Sequence, residues 1–243
     1  MLKIGICLPS YNESENIIKL IQQIFLINVN SVVCVVDDNS PDHTSNIIKK
    51  KYSEIMNQKL FLIDRPTKDG RGSAVWEGFK LLNSKFSDLD IYIEMDCDFS
   101  HSLEDLEKGI NLFQEKKIDV LLGSRYPDGQ IRNWPVKRKI FSYCANILIR
   151  YLISKDIYDY TNGFRFYNKK AINLILNSKP KNKGFIYLSE TLSIFLINNL
   201  KIFSFPIVFN NRIRGKSNTN ILEAFRSLKG IFKISKDYKK YKK

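Results

Sequence analysis

The sequence predicts an α/β fold in which a mostly parallel central sheet is flanked by helices, and three observations predict it. Short apolar runs rich in β-branched residues alternate with stretches of helical periodicity over the first two-thirds of the chain, the pattern of strands joined by crossover helices. Each run ends in a polar or acidic turn, as in "VVDDNSPDHT" and "EMDCDFSH". With 243 residues, 44% of them hydrophobic, the chain can bury one large core. Neither an internal repeat nor a low-complexity linker divides it, so a single domain over residues 1–243 is expected.

Taken in order, the apolar runs place strands over residues 3–8, 32–37, 59–63, 91–96 and 118–123. The 3.6-residue periodicity places helices between them over 13–27, 44–56, 72–82 and 103–115. Beyond Tyr126 the pattern changes to a loop followed by a long helix over 137–153, entered through Lys137, Arg138 and Lys139. A short segment over 161–167, a helix over 187–198 and a strand over 201–209 follow. The chain ends in a basic amphipathic helix over 218–243, where Ile221, Phe225, Leu228 and Phe232 recur at helical spacing among Arg226, Lys229, Lys233 and Lys236. That helix either lies at a membrane interface or packs on the core.

The formal net charge is +14. Such an excess suits an acidic partner (nucleic acid, anionic lipid or a phosphorylated substrate), or reflects a composition rich in Lys, Asn and Ile. The opening "MLKIGICLPSYNE" turns polar too early for a secretory signal. No apolar run reaches the roughly 18–20 residues needed to cross a bilayer, so no transmembrane segment is expected and a cytoplasmic location is. Cys7, Cys34, Cys97 and Cys144 are dispersed with no C-x-x-C pair, which reads as reduced thiols. With His43 and His101 as the only histidines, a zinc site lacks a ligand set. Any metal should be a hard cation held by oxygen.

In open α/β sheets ligands bind beyond the carboxyl ends of the strands, and three of those ends carry acid: "LPSYNESEN", "VVDDNSPDHT" and "MDCDFSH". Residues two apart in an extended segment point to the same side, so Asp96 and Asp98 can converge on one cation. Magnesium or manganese, held by one or two carboxylates and by substrate phosphates, fits that pair. Asp37 and Asp38 lie at the equivalent edge of another strand. The first strand is not followed by G-x-G-x-x-G, and "KDGRGSAVWEGF" lacks G-K-[ST] at the P-loop spacing, so both familiar nucleotide loops are excluded.

Eight blocks in order, "LPSYNESENI", "VVDDNSPDHT", "DRPTKDGRGSAVWEGF", "EMDCDFSH", "LLGSRYPDG", "NWPVKRKIFS", "TNGFRFY" and "NRIRGKSN", carry a resemblance over residues 3–235. The chain resembles the inverting family 2 glycosyltransferases of the GT-A fold, and among them the dolichyl-phosphate (polyprenyl-phosphate) mannose synthases. The resemblance implies a nucleotide-sugar donor, a polyprenyl-phosphate acceptor and Mg2+ or Mn2+ as cofactor. It implies that Pro9, Tyr11, Glu13, Asp37 and Asp38 line the nucleotide pocket, with Asp96 and Asp98 as the metal-binding pair. Tyr11 either stacks on a base or packs into the core. Gly70 and Gly72 shape the backbone at a helix entry. Arg125, Arg138 with Ser142, and Arg212 fall where the family grips acceptor phosphate or donor diphosphate, a task that suits the planar guanidinium fork.

Three departures stand out. Ser100 replaces a glutamine found in some relatives, Asn218 replaces a lysine in the last block, and Glu190 is followed by Thr191 where hydroxyl-glycosylating relatives carry Glu-Asp. Glu190 is therefore either a base or a brace for a loop. A phosphate acceptor needs no base, being ionised near neutral pH with a second pKa of about 6. The expected reaction moves mannose from GDP-mannose to polyprenyl phosphate with inversion. An anionic membrane surface and a membrane-anchoring protein partner are expected, with the chain peripheral on the cytoplasmic face. The alternatives are UDP-glucose as donor, a sugar hydroxyl in surface polysaccharide as acceptor, or a basic nucleic-acid module, which no aromatic RNP-like block supports.

Overall fold

The protein, as a computed structural model, is described over residues 2–211 and 221–242, with side chains from 229 onward in the second segment. The first half alternates as the periodicity predicts: β1 (Ile4–Ser10), α1 (Ile17–Ile27), β2 (Ser31–Asp37), α2 (Thr44–Lys51), β3 (Leu60–Asp64), α3 (Arg71–Lys85), β4 (Ile91–Glu94), α4 (Leu103–Glu115) and β5 (Val120–Ser124). Then come β6 (Gln130–Arg132), α5 (Val136–Leu152), β7 (Arg165–Tyr167), α6 (Lys169–Ser178), α7 (Tyr187–Ile197), β8 (Ile202–Pro206), β9 (Val208–Asn210) and α8 (Ile221–Tyr241).

Seven strands form one sheet in the order β3-β2-β1-β4-β7-β5-β8, in which only β7 runs antiparallel to its neighbours. Every residue of β2 is buried, as expected of a strand covered on both faces. Alternation sorts β1 between two cores: Ile4, Ile6 and Leu8 face the α1 and α4 side, and Cys7 faces α3. Helix α1 buries Ile17, Leu20, Ile21 and Ile24 along one stripe. Helix α4 starts where Ser102 Oγ accepts from Asp105 N at 3.0 Å, with Glu104 and Asp105 in its first turn, a favourable N-terminus on both counts.

Several elements differ from the sequence reading, among them β6, which forms in the segment read as a loop. Helix α6 was not expected; Asn168 Oδ1 caps it by accepting from Ala171 N at 2.9 Å, and Ala171, Ile172 and Ile175 form its buried stripe. The strand expected over 201–209 is two. The β5–β8 ladder runs to Pro206, after which Ile207 N still donates to Ser124 O at 3.1 Å, and β9 then pairs with β6 in a separate two-stranded sheet. The C-terminal helix packs on the body of the protein: Ile231, Ile234 and Tyr238 are buried, and Ser235 Oγ donates to Leu152 O at 2.8 Å. Phe232 points outward, 57% exposed. Among the described residues no helix is long and apolar enough to cross a membrane.

Candidate active site

The carboxyl ends of β1, β2 and β4 converge on one cleft of about 170 Å³, lined by Pro9, Tyr11, Glu13, Asp38, Asp96 and Asp98, the group that the strand-end acids nominated. A second cavity of about 260 Å³ lies beyond the 69–73 turn, lined by Trp76, Glu77 and Lys181 among others. Size does not select the site. Position at a reversal in strand order, between β1 and its two neighbours, does.

Asp38 fixes the far wall. It accepts from Arg65 Nη1, Asp69 N and Gly70 N, each at 2.8 Å, so its charge orders the turn that leads into α3. Gly70 adopts φ 96° at the cap position of that helix, a conformation that side chains strain to reach. A Cβ there would also lie 2.7 Å from Lys183 O, which accepts from Gly72 N at 2.7 Å and Ser73 N at 3.1 Å. Asp37, nominated beside Asp38, lies outside the cleft lining. Its two oxygens accept from Ser40 N at 2.9 Å and Ser40 Oγ at 2.6 Å, so it shapes a turn.

Strand β4 ends at Glu94, two residues earlier than predicted. Asp96 and Asp98 therefore sit in a bend, with Phe99 at φ 57°, and strand alternation is not what brings them together. Asp98 Oδ1 accepts from Ser100 N at 3.1 Å. Beneath the bend His101 is fully buried, stacked on Phe164 with ring centroids 4.8 Å apart. Asp96 N donates to His101 Nδ1 at 3.4 Å, which leaves the proton on Nε2 to reach Asn162 Oδ1 at 3.1 Å. Burial holds this imidazole below its ordinary pKa, so it stays a neutral support.

The donor set fits a hard cation. Asp96 and Asp98 offer oxygen only, His101 is turned into its stack, and burial pushes the Cys97 thiol well up while its Sγ–H reaches Pro9 O at 3.4 Å. Among the described residues no group of three or more His, Cys, Asp or Glu side chains gathers to hold a metal. Asp96 and Asp98 would hold magnesium or manganese here, with ligand phosphates and water supplying the other positions, as those ions commonly require.

Three cleft residues were missed. Lys68 Nζ lies 3.4 Å from the Tyr11 ring centroid, Arg71 reaches Asp96, and Phe185 comes in from the loop before α7. Lys68 and Arg71 lie within the block "DRPTKDGRGSAVWEGF", but neither their spacing nor that of Phe185 says that these side chains turn into the cleft, because the path of the turn before α3 and of the loop before α7 is set by tertiary packing.

Two of the nominated arginines, Arg125 and Arg138, gather around Trp134, outside the cleft lining. The Arg138 guanidinium is 3.9 Å from that ring's centroid and Arg125's is 5.5 Å away. Arg138 Nη1 also donates to Asn211 Oδ1 at 3.4 Å, and Ser142 Oγ accepts from Tyr126 O–H at 3.1 Å. Arg125 is more committed than expected: Nε and Nη2 donate to the two oxygens of Asp159 at 2.8 Å, and Nη2 also to Thr161 Oγ1 at 2.7 Å. Arg212 and Asn218 lie outside the described residues. Glu190 accepts from Lys181 N, Asn182 N and Asn182 Nδ2 at 2.8–2.9 Å. It ties down the loop that carries Phe185.

Known proteins place this geometry. The chain is similar to the polyprenol monophosphomannose synthase of Mycolicibacterium smegmatis, 31% identical over 90% of this chain and 83% of that one. It is also similar to the dolichol-phosphate mannosyltransferase of Pyrococcus furiosus, 32% identical over 97% of this chain. Of that second relative's length it spans 64%. Among solved structures, glucosyl-3-phosphoglycerate synthase from Mycobacterium tuberculosis with Mg2+ and uridine diphosphate superposes with a TM-score of 0.68 at 14% identity, over 97% of this chain and 80% of that one. That likeness identifies the GT-A fold. The sequence profile described as Glycosyl transferase family 2 matches residues 5–176, which takes in all the named cleft residues but Phe185, the acidic bend and Arg125 and Arg138, and the chain belongs to that family.

Proposed function

We propose that this enzyme transfers mannose from GDP-mannose to a polyprenyl phosphate, with inversion and with a divalent cation, at the surface of an anionic membrane. The names of the two relatives support mannose and the lipid acceptor. The observation that carries the acceptor class is Glu190. A hydroxyl acceptor must lose a proton to a base, whereas the Glu190 carboxylate is occupied by loop N–H groups and its neighbour is Thr191.

A lipid phosphate arrives already ionised. One of its oxygens attacks the anomeric carbon while the bond from that carbon to the donor diphosphate breaks, and the nucleoside diphosphate leaves with the bonding electrons. A cation held by Asp96 and Asp98 supplies positive charge beside the leaving group. Tyr11 and Glu13 take the nucleoside, Glu13 in a posture fixed by Asn16 Nδ2 at 2.8 Å, while Lys68 must swing off the Tyr11 face for a base to stack there. Arg138 and Ser142 receive the acceptor phosphate, with Arg125 holding the loop beside them through Asp159.

The lipid tail needs an apolar landing. Helix α5 exposes Ile140, Ile147 and Tyr151 on one side and carries Lys137, Arg138 and Lys139 at its start. Apolar residues flanked by cations suit an anionic leaflet, which supports the reading of a peripheral enzyme on the cytoplasmic face, alone or with a membrane-anchoring partner.

The test is transfer of labelled sugar from GDP-mannose, with UDP-glucose in parallel, to a short polyprenyl phosphate in Mg2+ or Mn2+. Wild type and Glu190→Gln should both form mannolipid, the variant within about tenfold, and Asp98→Ala should form none. Loss of all turnover in Glu190→Gln with donor binding intact would assign a base and hence a hydroxyl acceptor.

A further inference from the structure

Arg71 opens α3 and spends its fork on three elements. Nε donates to Asp96 Oδ1, Nη1 to Glu94 Oε2 and Nη2 to Gly163 O, each at 2.9 Å. The Arg71 side chain is 9% exposed and that of Glu94 is fully buried. The other Glu94 oxygen accepts from Tyr167 O–H at 2.6 Å. Residue 163 has to be glycine for this to exist, since a Cβ there would come within 2.2 Å of Nη2. Burial opposes the Arg71 charge, but the attraction of Asp96 and Glu94 outweighs it and holds the guanidinium above its ordinary pKa.

We propose that Arg71 is a positioning residue of the donor site: it sets the orientation of Asp96 at the mouth of the cleft and anchors that orientation, through Glu94, to the β4–β7 ladder. This rests on reading the cleft as the donor and metal site. Asp96 lies two residues past the last ladder pair of β4, Glu94 with Arg165, where strand geometry no longer directs side chains. Two acids two residues apart, Glu94 and Asp96, are thereby joined by one cation, so an incoming diphosphate meets less uncompensated negative charge. A lysine cannot substitute, because a single ammonium does not present a planar fork to three acceptors.

The experiment measures binding of GDP and UDP by calorimetry, with Mn2+ and in EDTA, the electron paramagnetic resonance signal of protein-bound Mn2+, and thermal melting. The variants are Arg71→Lys and the pair Arg71→Met with Glu94→Gln, which removes the buried ion pair while keeping the cluster's net charge. Expected is a loss of roughly 10–100-fold in Mn2+-dependent nucleotide affinity, the range seen when a partner that orients a metal ligand is removed. A changed Mn2+ signal should accompany it, with binding in EDTA altered by less than about threefold and with the paired variant melting close to wild type.

A purely structural Arg71 predicts that a paired variant melting like wild type also binds like it; Mn2+-dependent affinity within about twofold of wild type would overturn the proposal. Should the paired variant not fold, Arg71→Lys decides by the same criterion. If wild type itself gains nothing from Mn2+ with either nucleotide, the reading of the cleft as donor and metal site fails, a result seen in wild type and not in the variants.

Discussion

A single guanidinium shows what spacing can and cannot reveal. Arg125 was nominated from its motif, but its counter-ion Asp159, 34 residues away, was not, because nothing in a sequence says which distant carboxylate will meet a given cation. The pair is buried, with side chains 5% and 0% exposed. Burial alone would raise the Asp159 carboxyl; the Arg125 charge and hydrogen bonds outweigh it and hold it below the usual carboxylate range. A depressed pKa contributes stability above the unfolded value of about 3.9 and loses it as pH falls from there through the folded value. Asp159→Asn strands a buried cation, so it should cost about 3–5 kcal/mol at pH 7. In urea titrations that gap should stay constant down to about pH 5 and shrink below about pH 4, as wild type loses the same charge. A gap independent of pH would refute the assignment.

The regular elements of the first half were legible because each buries a stripe or face of fixed period: β2 is buried throughout and α1 buries Ile17, Leu20, Ile21 and Ile24. Legibility failed where tertiary pairing decides. Strand β7 has three residues, too few for a period, and owes its place to ladders on both sides. Helix α8 was open between membrane and core. Its described face is a core face, so Ile234→Ala should destabilise by about 2–5 kcal/mol. That corresponds to roughly 2–4 °C of melting temperature per kcal/mol for a protein of this size. Thermal melting checks it, and an unchanged melt would mean that the helix leaves the core in solution.

For the molecule as a whole, a charge of +14 suits several acidic partners, and the exposed apolar residues beside cations on α5 support the proposed anionic membrane. Replacing Ile140 and Ile147, 58% and 45% exposed, by glutamate should leave the melt unchanged. The same change should reduce co-sedimentation with anionic vesicles about tenfold or more, since full burial of one such side chain is worth about 1.5–3 kcal/mol, two are lost, and about 1.4 kcal/mol is tenfold. Raised salt should weaken what binding remains. Equal binding of wild type and variant to the vesicles would assign the lipid contact to another surface.

The sequence by itself determined the alternating α/β architecture, the acids at the strand ends and the exclusion of dinucleotide and P-loop folds. Those follow from local periodicity and from the short reach of a turn. Only the tertiary structure decided that Asp38 organises a turn while Asp37 stays out of the cleft. It alone put Glu190 on loop amides and made Arg71, Glu94 and Gly163 one unit under Asp96. Each of these turns on a hydrogen-bond partner brought by a different loop, and a buried charge takes the partner that the packed chain places within reach.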